Sequence, residues 1–326
     1  MAADVEGAQR LLEELHRHSR DGFPDSEIND PAALVEQLSI AVLALDPRSP
    51  GQEADVALMA SFVFESEAPR DLLSFVTDTL NTSAKVTKKS RMAALKAVGD
   101  FAKRLKGSPI VDRYARRIKE GVWAVFSKER DSQEVRAHAL RPLRELLKLR
   151  PPSLAAHTWN VAAMWGAIQE QYRLGASKIS QSCKGELLKL AGSLLLVYGD
   201  DVPELVEGVK TMLGWCDQAL AENEKNKQMG KTLQPQIVAG ALACMDLVCS
   251  AGFDRRYAFV AGESASSPKA NTRLYMHLMK AVQEGSNEDV KRFEVCAKAL
   301  RFFRRHADLF SDNVGPLPRA QQIYDL

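Results

Sequence analysis

Long apolar runs are absent from this chain: nowhere do about 18 apolar residues follow one another, so no transmembrane helix or membrane partner is expected. Cysteine is scarce and odd in number. The five thiols, Cys183, Cys216, Cys244, Cys249 and Cys296, sit in Leu- and Ala-rich surroundings without a C-x-x-C pair or a histidine at zinc spacing. Buried structural residues are expected there, not metal ligands. Glycine gathers nowhere into a phosphate-cradling loop; Gly192, Gly199, Gly208 and Gly214 are scattered in or at the ends of helical segments. G-x-S-x-G, H-E-x-x-H and EF-hand patterns are missing, and no DDxxD or HD pair falls at usable spacing. His16 and His18 point to different faces of a helix, and Asp200-Asp201 ahead of Pro203 read as acids at a helix N-terminus. The chain alone is therefore expected to catalyse nothing and to need neither cofactor nor metal. Residues 1–20 are acidic and amphipathic without an apolar signal core, which predicts a cytosolic or nuclear protein.

Charge is nearly balanced in total, with 44 Lys and Arg against 42 Asp and Glu, but it is polarised along the chain. Residues 85–150 hold 19 basic and 7 acidic side chains, net +12. Residues 1–84 hold 5 and 16, net −11, and 151–326 carry +1. Bulk charge hides this pattern.

Strand-like alternation is also missing; nearly every segment repeats with helical period. Asp30-Pro31 reads as a helix start, followed by Leu34, Leu38, Val42 and Leu45. Further helices are expected at 55–64, 70–81, 87–106, from Ser108-Pro109 onward, and 131–149 with Ser132 as N-cap. Pro142 inside the last of these predicts a kink, and Pro151-Pro152 a stop. Beyond lie 154–174, 183–198, 202–221, 236–250, 269–283 and 288–306. Starts near Pro31, Arg70, Pro109, Ser153 and Val202 beat at about 40 to 50 residues, the period of HEAT or armadillo helix pairs. The expected fold is an all-α, HEAT/armadillo-like α-solenoid, with a globular helical bundle as the alternative. It divides into a helical-repeat segment at 1–220, a polar linker at 221–235, further repeats at 236–314 and an irregular tail at 315–326. Leu95, Val98, Leu105, Ile118, Val122, Leu140, Leu143, Leu147, Leu187, Leu190 and Leu194 are the expected seam.

The basic stretch is the candidate site. Lys89, Lys96 and Lys103 recur every seven residues, with Lys85 and Lys88 at the start of the line. The next helix offers Arg113, Arg116, Arg117 and Lys119. Set side by side on stacked helices, these cations suit a phosphate backbone, since each can release condensed counterions. The alternative is a solvated face whose cations pair with the acids of 1–84. Ser132-Gln133 and Ser180-Gln181 match a minimal Ser-Gln kinase target, at a frequency chance alone supplies.

Several collinear stretches resemble the N-terminal region of the DNA-dependent protein kinase catalytic subunit, a family of phosphoinositide-3-kinase-related kinases. They are SFVFESEAPRDLLSFVTDTLN from Ser61, the TKKSRMAALKAVGDFAKRL helix, SKERDSQEVRAHALRPLRELLK from Ser127, KISQSCKGELLKLAGSLLLVYGDDVPEL from Lys178 and DVKRFEVCAKALRFFRRHADLFSDNV from Asp289. The resemblance implies a nuclear, non-catalytic solenoid arm that encloses a broken duplex DNA end together with the Ku heterodimer in non-homologous end joining. The family's kinase domain lies far downstream and nothing here matches it, so the resemblance implies either a fragment of a much larger kinase or a stand-alone relative. The rival reading is an importin- or armadillo-like adaptor that binds proteins and not DNA.

Overall fold

Apolar residues spaced at three and four positions bury one stripe of each helix, and the folded chain is built by laying those stripes against one another. The computed structural model describes residues 5–21, 35–38, 40, 53–65, 71–78, 88–106, 108–128, 132–174, 178–229, 235–252, 297, 299–302 and 304–305. Among these residues the structure is all-α, with twelve helices and no strand. The chain forms two compact units, 1–160 and 161–326.

In the first unit, α1 (Val5–Asp21) sets Ala8 and Leu12 against α2 (Glu53–Phe64). Then follow α3 (Leu72–Asp78), α4 (Lys88–Arg104), α5 (Pro109–Lys128), α6 (Gln133–Leu149) and the single turn α7 (Ala156–Trp159). Helices α3 and α4 pack on each other, as do α5 and α6. Like then stacks on like: α3 lies on α5 and α4 on α6. This is the pairing expected of HEAT-type repeats. The expected seam residues of this unit, Leu95, Val98, Leu105, Ile118, Val122, Leu140, Leu143 and Leu147, are all fully buried. Each such side chain contributes about 1.5–3 kcal/mol by leaving water. Phe64 joins the pairs, with its ring 5.7 Å from Phe101 of α4 and 5.6 Å from Tyr114 of α5.

Helix α6 shows how local chemistry sets the ends. The Ser132 hydroxyl accepts the Val135 N–H at 3.3 Å, and Arg150 closes the helix in the left-handed region at φ 49°, ahead of Pro151. The helix runs unbroken across Pro142. Gly99 of α4 faces that proline so closely that a Cβ there would meet Pro142 Cα at 3.3 Å.

The second unit contains α8 (Val161–Arg173), α9 (Gln181–Tyr198), α10 (Pro203–Glu207), α11 (Val209–Gln228) and α12 (Pro235–Ser250). Ser180 caps α9 by accepting the Cys183 N–H at 3.1 Å. The expected core residues Leu187, Leu190 and Leu194 are buried, and α9 packs along α12. That approach is set by glycine: a Cβ on Gly240 would lie 2.4 Å from the Gly185 carbonyl oxygen. Helices α8 and α11 meet through aromatics, Tyr172 stacking on Trp215 at 4.3 Å and Trp165 standing 5.6 Å from it.

Three expected elements differ. The helix at 154–174 breaks at Asn160, which takes φ 49° while its N–H reaches back to the carbonyls of Ala156 and His157. Asparagine tolerates that conformation better than most residues. The helix at 202–221 breaks at Gly208, where any Cβ would strike the Trp165 indole at 2.5 Å. Finally, residues 221–228 of the expected linker continue α11 as helix. Their Glu, Lys and Gln are good helix formers, and Gln218 bonds Glu222 one turn on at 2.9 Å. Polarity there marks a solvated helix. The expected helix at 269–283, most of those at 31–45 and 288–306, and the tail at 315–326 lie outside the described residues.

Candidate nucleic-acid interface

Three groups of cations stand out among residues 85–150. The first is internal. Arg136 is buried, donating to the Phe126 carbonyl at 3.0 Å with its guanidinium 5.0 Å above the Phe126 ring, and Arg91 is buried on α4.

The second group is the arginine row of α5, two of whose members meet acids from the first 84 residues. Arg117 donates to Asp71 Oδ2 at 2.9 Å, to Ser74 Oγ at 2.9 Å and to the Phe64 carbonyl. Asp71 itself is fully buried and caps α3, accepting the Ser74 N–H at 2.7 Å and the Ser74 hydroxyl at 2.9 Å. Burial pushes the Asp71 carboxyl above its ordinary range, and the bonds from Ser74 and Arg117 oppose that only in part. One turn away, Arg113 pairs with Glu65 at 3.3 Å, and the Tyr114 hydroxyl donates to the other oxygen of Glu65 at 3.0 Å. Arg116 pairs with Glu120 at 2.9 Å along the helix. Lys119 is half-buried. Arg113 and Arg117 thus realise the pairing with upstream acids that the charge polarity allowed, and Arg117 is a bracket between α2, α3 and α5.

The third group is the lysine row of α4. Lys89, Lys96 and Lys103 are all exposed, one above another at seven-residue intervals, with Lys106 exposed beyond the helix end. Lys88 pairs across to Glu134 in the first turn of α6. Neither Lys96 nor Lys103 has an ion-pair partner among the described residues, and Asp100, one turn from each, is half-buried without pairing to either. Lys85 lies outside the described residues.

Asp71 and Glu65 are what the sequence reading missed. A signal for Asp71 was present in Asp71-Leu72-Leu73-Ser74, an acid three residues before a serine at the head of an apolar run. Cys183, Cys216, Cys244 and Cys249 are free, buried thiols, and burial raises the Cys216 thiol further from ionisation. Among the described residues no group of His, Cys, Asp and Glu could hold a metal ion, and no helix is long and apolar enough to cross a membrane.

Residues 57–325 match the family model described as DNA-PKcs, N-terminal. The match is to that N-terminal region and not to a kinase domain. No curated protein matches the sequence.

Proposed function

The chain belongs to the DNA-PKcs N-terminal family, and from that premise we propose that it is a nuclear, non-catalytic helical-repeat arm. On this reading it holds duplex DNA near a broken end, in company with Ku, during non-homologous end joining. Any phosphorylation would then be carried out by a kinase domain elsewhere in a longer polypeptide. The observation that supports DNA contact is the exposed row Lys89, Lys96 and Lys103 on α4. Ammonium groups on flexible stems engage phosphates as point charges and read no base edge, so binding is expected without sequence preference.

The test is a titration of labelled blunt duplex at two salt concentrations, with wild type beside the Lys96→Glu/Lys103→Glu double variant and with or without Ku. Three to five phosphate contacts give a slope of log K against log salt of about −3 to −4.5. The double reversal removes about two of those contacts and should flatten the slope by about 2 while weakening every duplex equally. Ku is expected to tighten the complex. Binding indifferent to both salt and reversal would refute the DNA reading and leave the chain as a protein-binding adaptor.

A further inference from the structure

We propose that Cys216 and Cys244 are a latent thiol pair, which a small-molecule disulfide converts into a covalent bond joining α11 to α12. The proposal concerns the second unit alone and does not depend on the DNA reading above.

Packing brings the two thiols together. Cys216 lies on α11 and Cys244 on α12, and both are fully buried where those helices meet. The Cys216 thiol donates to the Ala241 carbonyl at 3.5 Å. Cys244 stands one turn past Ala241 on the same helix, and its sulfur is within hydrogen-bonding reach of Cys216. The other buried thiols sit at different levels. Cys249 is five residues past Cys244, about 7.5 Å further along the axis. Cys183 precedes Gly185, which faces Gln236 and Ile237, about two turns short of Cys244.

The helices around the pair are not equally held. Helices α9 and α12 meet backbone to backbone at Gly185 and Gly240, and a Cβ on Gly192 would meet Cys244 Cα at 3.2 Å. No such close approach fixes α11 at Gly214, where an added Cβ meets nothing within 4 Å. The last turns of α11 are polar, with Glu222, Lys225 and Gln228 exposed. Local opening is therefore expected to lift α11 from α12 while α9 and α12 stay together. Closed, the thiols are buried and neutral, hence inert; opened, they regain the ordinary reactivity of a wet thiol.

The chemistry is two exchange steps. One cysteine thiolate attacks the small disulfide, forming a mixed disulfide and releasing one small thiol. The second cysteine loses its proton and attacks the mixed disulfide, closing the Cys216–Cys244 bond and releasing the second small thiol. The protein is oxidised by two electrons and loses two hydrogens, and the small disulfide is reduced to two thiols. In a reducing compartment the pair stays open, and a thiol reductant reverses the bond. Once formed, the bond fastens α11 to the more tightly held α9 and α12 and restricts the unfolded chain.

The experiment treats the full 326-residue chain with oxidised glutathione, in buffer and in urea below the unfolding transition, and reads intact mass and cysteine-containing peptides. A monomer lighter by the two hydrogens is expected, with Cys216 linked to Cys244, and dithiothreitol should restore it. Closure should be at least about tenfold faster in the urea, because opening gates it. With the oxidant removed, the bridged protein should show a urea midpoint raised by about 1 M. Cys216→Ala and Cys244→Ala should each abolish the internal bond, and Cys249→Ala should leave it; circular dichroism checks that each variant folds. A bond from either cysteine to Cys183, Cys249 or Cys296 instead would overturn the proposal. So would mixed disulfides that never resolve, no bridge under any of these conditions, closure as fast without urea, or a bridge that lowers the midpoint.

Discussion

The closest approach in the second unit offers a sharp test, because adding one methyl group should have opposite effects at two kinds of glycine. At Gly240 an added Cβ would stand 2.4 Å from the Gly185 carbonyl oxygen and 2.5 Å from Gly185 Cα. Ordinary contacts to carbon begin near 3.4 Å, so α9 and α12 must part by about 1 Å, and the obstacle is backbone that cannot rotate away. A radial gap of that size forfeits about a quarter to a half of the dispersion energy of the atoms lining it. Those atoms belong to buried residues such as Leu187, Leu190, Ala241 and Met245. Overpacking costs about 1–3 kcal/mol, against which alanine recovers about 1 kcal/mol of helix propensity. Gly240→Ala should therefore lose up to about 2 kcal/mol. Gly166 in α8 and Gly214 in α11 have no atom within 4 Å of the same added carbon. There only the propensity term acts, and each alanine should gain about 0.5–1 kcal/mol. Urea unfolding followed by tryptophan fluorescence suits the comparison, since Trp165 and Trp215 both report on this unit. A Gly240→Ala protein as stable as wild type, with Gly166→Ala and Gly214→Ala destabilised, would refute the reasoning about the helix contact.

Three further outcomes are expected. Leu143→Ala in α6 and Leu190→Ala in α9, both at fully buried sites, should each cost about 2–5 kcal/mol in the same assay, and losses well under 1 kcal/mol at both would show the cores to be loosely packed. Arg117→Ala leaves the buried Asp71 carboxylate without its cation; because the guanidinium side chain is 36% exposed, solvent screening reduces the usual buried-pair penalty to about 1–3 kcal/mol. Asp71 also predicts a pH trend: with its carboxyl raised above 3.8 by burial, the folded state holds the proton more tightly than the unfolded one. Its stabilising contribution is thus full below 3.8 and lost as pH rises through the raised value. Wild type should therefore gain stability relative to Asp71→Asn as pH is lowered from neutrality, and the reverse trend would mean that the bonds from Arg117 and Ser74 outweigh burial.

Periodicity alone made the helices and their seam legible, because burying an apolar stripe is the dominant favourable term and leaves a direct trace in residue spacing. Ser132 was legible as an N-cap for a similar reason: the bond it accepts is local. What could not be read was decided by partners distant in sequence. Position 208 needs glycine because the Trp165 indole occupies the space a side chain would take. Arg117 looked like another surface cation, yet its guanidinium is claimed by Asp71, Ser74 and Phe64. Lys96 and Lys103 looked the same in sequence and stand in solvent. The polar run at 221–228 was misleading for a different reason, since polarity without an apolar stripe describes a solvated helix as well as a loop.

The stacking of α3 on α5 and of α4 on α6 has a kinetic consequence. Hydrogen bonds that join successive elements span similar stretches of chain. Ser153 to Asp112 covers 41 residues, Tyr172 to Trp215 43, Arg117 to Asp71 46 and Tyr114 to Glu65 49. Loop-closure entropy grows only logarithmically with length, so each of these joints is about equally costly to close and none has to wait for a remote strand of the fold. Folding can begin at any adjacent pair and spread in either direction. The same chain should also come apart by degrees. Amide exchange is expected to be slowest in α9, which packs against α8, α10, α11 and α12, and faster in α1, with no single global rate describing the protein.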